Sequence, residues 1–394
     1  MKLIFNIFFL TVLIGKISAQ YFFDYSRAVK DTQTVFTYSF NLNVNGNELN
    51  NNFLHKVYKD GFAAPEDVRE VYNRMPSVFS FGGDWNQHVF LSVPFSQNFV
   101  YRASLAIKVS DKQFFAGKLS KDVFGLFFLG NSNFLGQTIY AQNDDLKLIT
   151  YQQAELGLNI DNGMGKKIGI YIGYLNANSY LQLQLNQSNF YTSVYGDTLK
   201  FHNEAAFFQT NPVSRFYENR GGGFSLSAFY QVDFFDYNSN KLNSSLTFQV
   251  SDLGQIKYYR VASSVAQKDI LYTGLEIKDV FNYSSEYQNF TSDTLGFQTV
   301  YISKRIKLPT VFAVRYWQSY NSKFALNIQG YYRIQAYYKP LFTAEAQYKI
   351  HDMLTVKPSL GYGGWGTLQT GLLLSFRHSY IDLELGTYHA ESWL

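Results

Sequence analysis

The chain has 394 residues, of which 19% are aromatic, with 37 Phe and 32 Tyr, and only 16% are charged, against about 25% in an ordinary soluble protein. A formal charge of +4 leaves neither a nucleic-acid footprint nor an acidic tail, so no nucleic-acid partner is expected. Cysteine is absent, which excludes a disulfide framework, a thiolate metal site and a thiol nucleophile.

The first residues, MKLIFNIFFLTVLIGKISAQ, have a basic start at Lys2, an apolar run from Leu3 to Ile14 and a small-residue end at Ser18-Ala19. That is the layout of a secretory leader over 1–19, cleaved after Ala19, which leaves 20–394 as one exported domain. No later run has the length of a transmembrane helix; the greasiest, VFGLFFLG at 123–130, is far too short.

Beyond the leader, apolar and polar residues alternate. TVFTYSFNLNV places Phe36, Tyr38, Phe40, Leu42 and Val44 on one face and Thr37, Ser39, Asn41 and Asn43 on the other, the period of a strand. Residues 45–76 break the pattern: they are Asn-rich, then read as a short helix over 64–75, with Pro65 in the first turn and acids after it. This stretch is expected to be a plug or a loop. Weaker alternation returns at 101–109, 152–161, 167–176 and 179–186. Residues 203–223 and 262–296 are turn-rich and are expected to be long loops, the usual carriers of binding function on a rigid scaffold.

Between and after these loops the strand period is strongest. FSLSAFYQVDF, LNSSLTFQVS, FTAEAQYKI and YIDLELG all alternate, with weaker copies at 308–318, 354–362 and 367–377. KFALNIQGYYRIQAYYK reads as one long strand over 323–339, with Phe324, Leu326, Ile328, Gly330, Tyr332, Ile334, Ala336 and Tyr338 on its apolar face. Turn chemistry separates the segments, as in Asn176-Ala177-Asn178 and Asn321-Ser322. Segments of about ten alternating residues between turns are the pattern of a transmembrane β-barrel, whose strands meet lipid on one face and a polar lumen on the other. A soluble β-sandwich would have shorter strands and a more charged exterior. The expected fold is therefore all-β: an antiparallel transmembrane barrel of about 14 strands, roughly 12 to 16. Closure satisfies every backbone group within hydrocarbon.

FSLSAFYQVDFF and KLNSSLTFQVSDLGQIKYYR resemble the middle of an outer-membrane β-barrel family of unknown function widespread in Bacteroidota. The shared feature is a strand ending in Asp-Leu-Gly followed by an apolar residue and a basic or aromatic pair, here Asp252, Leu253, Gly254, Ile256, Lys257 and Tyr258. The later run from LPTVFAVRYW to LLLSFRHSYIDLELGTYH resembles the C-terminal half of that family, so the resemblance covers roughly 150–390. The family is distantly similar to long-chain fatty-acid transporters and to the shuttle barrel of type IX secretion. The resemblance implies about 14 strands, a partly plugged lumen and an outer-membrane location. Two departures are visible: the Asn-Pro-Ala element usual near the N-terminus is missing, and the chain ends Ser392-Trp393-Leu394 where an aromatic usually closes such barrels. The parity of the last hairpins is left open by the second departure.

The chemistry-bearing residues point away from catalysis. The six histidines, His55, His88, His202, His351, His378 and His389, show no metal-ligand spacing, and no metal or cofactor is expected. Asp144-Asp145 and His351-Asp352 would form a protease-like acid and His-Asp set only if both met at one rim, and IHDML reads more simply as a turn. Asp197-Thr198-Leu199 and Asp293-Thr294-Leu295 are similar to the three-residue O-glycosylation acceptor of Bacteroidota. The charges expected to face the lumen are Arg102, Lys108, Glu155, Arg315, Arg333, Glu345, Lys357, Arg377, Asp382 and Glu384. Their mixed signs argue against a strongly ion-selective pore and for ion pairs between strands. The expectation is a non-enzymatic outer-membrane barrel, in contact with outer-membrane lipid, that serves as a narrow or gated conduit for small or hydrophobic molecules. The alternative is a plugged structural or secretion-associated barrel that holds envelope protein partners.

Overall fold

A computed structural model describes residues 16–18, 23–28, 34–46, 64–97, 102–141, 143–211, 218–237, 241–272, 297–335, 337–378 and 382–390. Among these, eighteen strands form one sheet. The first nine are β1 (Lys16–Ser18), β2 (Val35–Gly46), β3 (Val78–Gln97), β4 (Arg102–Ser120), β5 (Thr138–Tyr140), β6 (Asp144–Asp161), β7 (Lys166–Leu185), β8 (Asn189–Thr192) and β9 (Leu199–Gln209). The rest are β10 (Gly221–Phe235), β11 (Leu242–Tyr272), β12 (Phe297–Lys307), β13 (Val311–Ser319), β14 (Phe324–Arg333), β15 (Lys339–His351), β16 (Leu354–Gly364), β17 (Leu368–Arg377) and β18 (Asp382–Thr387). The helices are α1 (Tyr25–Ala28), α2 (Pro65–Arg74) and α3 (Lys121–Leu129), none of them long and apolar enough to cross a membrane.

The wall runs β2-β3-β4-β6-β7-β10-β11-β13-β14-β15-β16-β17-β18, thirteen lanes paired antiparallel. β9 continues the β10 lane upward between β7 and β11, and β12 continues the β13 lane along β11. An odd lane count leaves β2 and β18 pointing the same way. β1 fills the seam between them, parallel to both, with Ile17 opposite Tyr38 and Leu383. Residues 16–18 thus hold a place in the wall although the leader reading sets them before the cleavage site; the other leader residues lie outside the described ones.

The faces sort as a transmembrane barrel requires. On β14, Ala325, Asn327, Tyr331 and Arg333 are buried inside, while Ile328 and Tyr332 are 45% and 42% exposed outside. Along the outer face run Leu105, Ile107 and Val109 of β4, Ile168, Ile170 and Ile172 of β7, and Phe342 and Tyr348 of β15, all exposed. An exposed apolar belt round an interior where Ser, Thr, Asn, Gln and ion pairs stand among buried aromatic clusters inverts the ordering of a soluble fold, and lipid is the solvent that accommodates it. The chain is a transmembrane antiparallel β-barrel.

Three sequence expectations are corrected. The long strand over 323–339 ends at Arg333: residues 334–335 and 337–338 are outside any strand, with Tyr337 at φ 65, and Tyr338 is buried inside instead of facing outward. Part of the loop expected at 262–296 is strand, because β11 runs to Tyr272 and pairs with β9 and β12; residues 273–296 lie outside the described ones. The loop expected at 203–223 is likewise shorter, since 203–209 belongs to β9 and 221–223 to β10.

The two ends of the barrel differ. Four-residue and two-residue turns, 162–165, 320–323 and 352–353, lie at one end. The opposite end carries the described residues 64–77 and 121–141, together with the upper parts of β7, β9, β11 and β12. Helix α2 forms where the sequence places it, with Pro65 in its first turn and Glu66 and Asp67 complementing its N-terminal dipole. It packs on α3 at the loop-bearing end through Val68, Met75, Phe79 and Phe124. Residues 47–63 of the expected plug segment lie outside the described ones.

Candidate functional site: the occupied lumen

The inside of the barrel is occupied by the segment 23–28, which no strand period marks in the sequence. Phe23 and Tyr25 sit in a pocket made by Phe90, Ala106, Tyr171 and Phe229, with the Tyr25 and Tyr171 ring centroids 4.2 Å apart. Polar contacts fix the backbone. Gln249 Nε2 donates to the Phe23 carbonyl at 2.8 Å, and the Tyr25 N–H donates to Gln249 Oε1 at 3.3 Å. Asp24 forms an ion pair with Arg315, and Arg315 also donates to Ser26 Oγ at 2.9 Å and to Thr247 Oγ1 at 3.2 Å.

Beneath the Tyr25 ring lies a buried pair from adjacent strands. Lys108 Nζ is 2.6 Å from Glu155 Oε2 and 4.3 Å from the Tyr25 ring centroid. The Tyr25 hydroxyl donates to Glu155, at 2.8 and 2.9 Å from its two oxygens, and Ser227 Oγ donates to Oε1 at 3.0 Å. A carboxylate this deep is tolerable only when paired and saturated with donors, and Glu155 is both.

Toward the loop-bearing end a second layer crosses the lumen. Lys112 of β4 contacts Asp252 of β11 at 2.7 and 2.8 Å, and Gln153 Nε2 donates to the same carboxylate at 2.8 Å. Asp252 has φ 59, at a point where the β10–β11 register shifts, so its side chain enters the lumen next to inward-facing Ser251. Arg333 of β14 reaches Asp84 of β3 at 3.2 Å, and the rings of Phe114, Tyr331, Tyr338 and Trp365 lie 5.0–5.6 Å from its guanidinium carbon. Between the two layers is a cavity of about 30 Å³ lined by Phe23, Tyr25, His88, Lys112, Asp252 and Arg333 among others. That is room for a water molecule. Near it, Asn86 Oδ1, Gln153 Oε1 and Arg333 Nε find no protein partner.

Of the ten charges expected inside, Lys108, Glu155, Arg315, Arg333, Glu345, Lys357 and Glu384 are buried. Arg102 is half-buried, opposite Asp161 in register. Arg377 shares the inward period of β17 but is exposed at the last position of that strand, 3.4 Å from a partly buried Asp382. Lys357 pairs with Glu384 across the intervening β17, and Glu345 accepts from Gln347 at 2.7 Å. Among the described pairs in which both charges are buried, only Lys108–Glu155 joins adjacent lanes; Arg333–Asp84 and Lys112–Asp252 span the lumen. Sequence reasoning missed Asp24, Tyr25, Asp84, Lys112 and Asp252 as lumen residues. For Lys112 the signal was available, since it keeps the inward period of Lys108, two turns of the pleat further along β4.

The other motifs do not assemble into sites. Asp144 accepts from the Ser120 N–H at 2.6 Å and its hydroxyl at 2.9 Å at the loop-bearing end, whereas His351-Asp352 turns at the opposite end. The set of acids and His-Asp therefore never meets. Asp197-Thr198-Leu199 spans the β8–β9 hairpin, with Ser193 bonded to both Asp197 Oδ1 and the Thr198 N–H; Asp293-Thr294-Leu295 lies outside the described residues.

No protein-family model matches the chain, and no curated protein matches it. Among solved structures it is similar to a Pseudomonas aeruginosa FadL homologue, at 12% identity over 88% of this chain and 77% of that one, with a TM-score of 0.38. It is also similar to a deletion mutant of the TodX monoaromatic hydrocarbon channel, at 10% identity over 76% of each chain, with a TM-score of 0.40. A third is the Ralstonia pickettii toluene transporter TbuX, at 10% identity over 74% of each chain and a TM-score of 0.30. Nothing about the cargo of this chain follows from similarity at that level.

Proposed function

We propose that this protein is an outer-membrane conduit for small hydrophobic molecules, closed in the described form by its own segment 23–28. The observation that carries the reading is the seating of Phe23 and Tyr25 in an aromatic pocket inside the lumen, directly over the buried Lys108–Glu155 pair. The segment is no part of the wall. It is held by side-chain contacts from β4, β6, β11 and β13, so its withdrawal breaks no ladder hydrogen bond. Withdrawal leaves a chamber walled by Phe90, Tyr171 and Phe229, which suits an apolar molecule. The buried charges Lys108, Glu155, Arg315, Arg333, Glu345, Lys357 and Glu384 then line a path too mixed in sign to favour either kind of ion. Nothing in this reading needs a reacting group, and it is a transport function, not an enzymatic one.

Uptake of a hydrophobic fluorescent probe by vesicles containing the purified protein tests it. Asp24→Ala/Tyr25→Ala, which weakens the seating of the segment, is expected to take up probe faster than the wild type. Equal and negligible uptake by both, with the barrel intact by its heat-dependent gel shift, would favour the scaffold barrel with envelope partners.

A further inference from the structure

Above the apolar belt, the outer face of β11 and β12 changes abruptly in character. Outward positions along β11 run Phe248, Val250 and Leu253, and then reach Lys257 and Arg260. On the next lane, Val314 and Phe312 give way to Lys307 and Arg305. Lys257 stands directly opposite Arg305 in the antiparallel register, and Lys307 opposite Gln255. Two like charges facing one another across a ladder destabilise it. β12 contains no acid at all. Of the carboxylates on β11, Asp252 points inward to Lys112 and Asp269 pairs with His202. Among the described residues, Lys257, Arg305 and Lys307 have no anionic or hydrogen-bonding side-chain partner, and Arg260 has only the Tyr301 ring, 4.1 Å from its guanidinium carbon.

The patch lies at a definite depth. Exposed Tyr174 of β7, Phe224 of β10 and Tyr259 of β11 lie beside it, Phe224 opposite Gln255 in register and 6.0 Å from Tyr174 between ring centroids, and such aromatics mark the membrane–water interface of barrels. It stands at the loop-bearing end, the outward end of barrels of this kind. Four cations with no counterion among the described residues, at the level of lipid headgroups, match a ligand with more than one phosphate. Arg forks take phosphate oxygens in pairs, Lys acts as a point charge, and Tyr301 holds Arg260 in place by its ring face.

We propose that Lys257, Arg260, Arg305 and Lys307 form a binding site for the phosphate groups of an anionic lipid in the outer leaflet. The site rests on the outer-membrane reading, but not on whether the lumen conducts. A phosphate between Lys257 and Arg305 converts their repulsion into two attractions, while its acyl chains lie on Leu253, Phe312 and Val314. Each cation beside an anionic surface contributes about a five-fold preference.

The test uses the full chain in detergent micelles doped with bisphosphorylated lipid A, with retained lipid counted by native mass spectrometry. Wild type is expected to retain it, and Lys257→Gln/Arg305→Gln/Lys307→Gln to bind on the order of a hundred-fold more weakly. Lys241→Gln/Lys323→Gln, at the opposite end, is expected to match wild type, and each variant is first shown to be an assembled barrel by its heat-dependent gel shift. Dephosphorylated lipid A should not be retained, and inorganic phosphate alone should not bind. Equal retention by the triple variant, equal retention of dephosphorylated lipid, or inorganic phosphate binding as tightly as lipid A would each overturn the proposal. Loss of probe uptake in the vesicle assay with lipid retention preserved would overturn the conduit and leave this site standing.

Discussion

Lys108 and Glu155 lie directly opposite one another on β4 and β6, Nζ to Oε2 at 2.6 Å, and both are almost wholly buried beneath the Tyr25 ring. Removing either partner strands the other charge away from water. Glu155→Gln or Lys108→Met alone is expected to cost about 3–5 kcal/mol of folding stability. The double variant is expected to recover most of that loss. Urea titration of the barrel in detergent, followed by tryptophan fluorescence, compares the three; additive losses in the double variant would show that the two charges do not depend on one another.

Neighbouring residues on β14 face different solvents. Ile328→Arg places a charge on the lipid side and is expected to cost about 2–4 kcal/mol near the bilayer midplane. Asn327→Arg points inward, directly opposite the buried Glu345, and is expected to be far milder. The fraction of each variant recovered as heat-modifiable barrel from membranes checks this, and equal impairment would mean that the faces are misassigned.

Gly157 lies beneath the Tyr171 ring, where an added Cβ would overlap ring carbons. Tyr171 is itself packed on Tyr25, so a methyl group at 157 reaches the plug through one intervening side chain. Gly157→Ala is expected to lower stability by about 1–3 kcal/mol and to raise probe uptake. A thermal melt together with the vesicle assay reads both; unchanged values in both would show that Tyr171 moves aside freely.

How much of this was legible follows from what a period can encode. β14, β15 and β18 each bury one face and expose the other, and Arg333, Glu345 and Glu384, which alternation sets on the inward face, are buried. Alternation also overran its limit, because Ile334, Ala336 and Tyr338 keep the period in the sequence while the strand ends at Arg333 and Tyr337, a non-glycine residue, takes φ 65. The upper part of β11 failed in the opposite sense. Both of its faces meet water beyond the belt, so nothing forces residues 267–269 to alternate and all three are exposed. The plug carried no signal, since its partners are distant in sequence: Tyr25 bonds to Glu155, and Ser26 to Arg315.

The central claim is that segment 23–28 closes a conduit. Single-channel recording in planar bilayers addresses it directly, comparing the full-length wild type with Asp24→Ala/Tyr25→Ala, each first confirmed as an assembled barrel. The account predicts a wild type that is closed apart from brief openings and a variant with long-lived open states under the same voltage. Indistinguishable closed records from the two proteins, or a steadily open wild type, would contradict it.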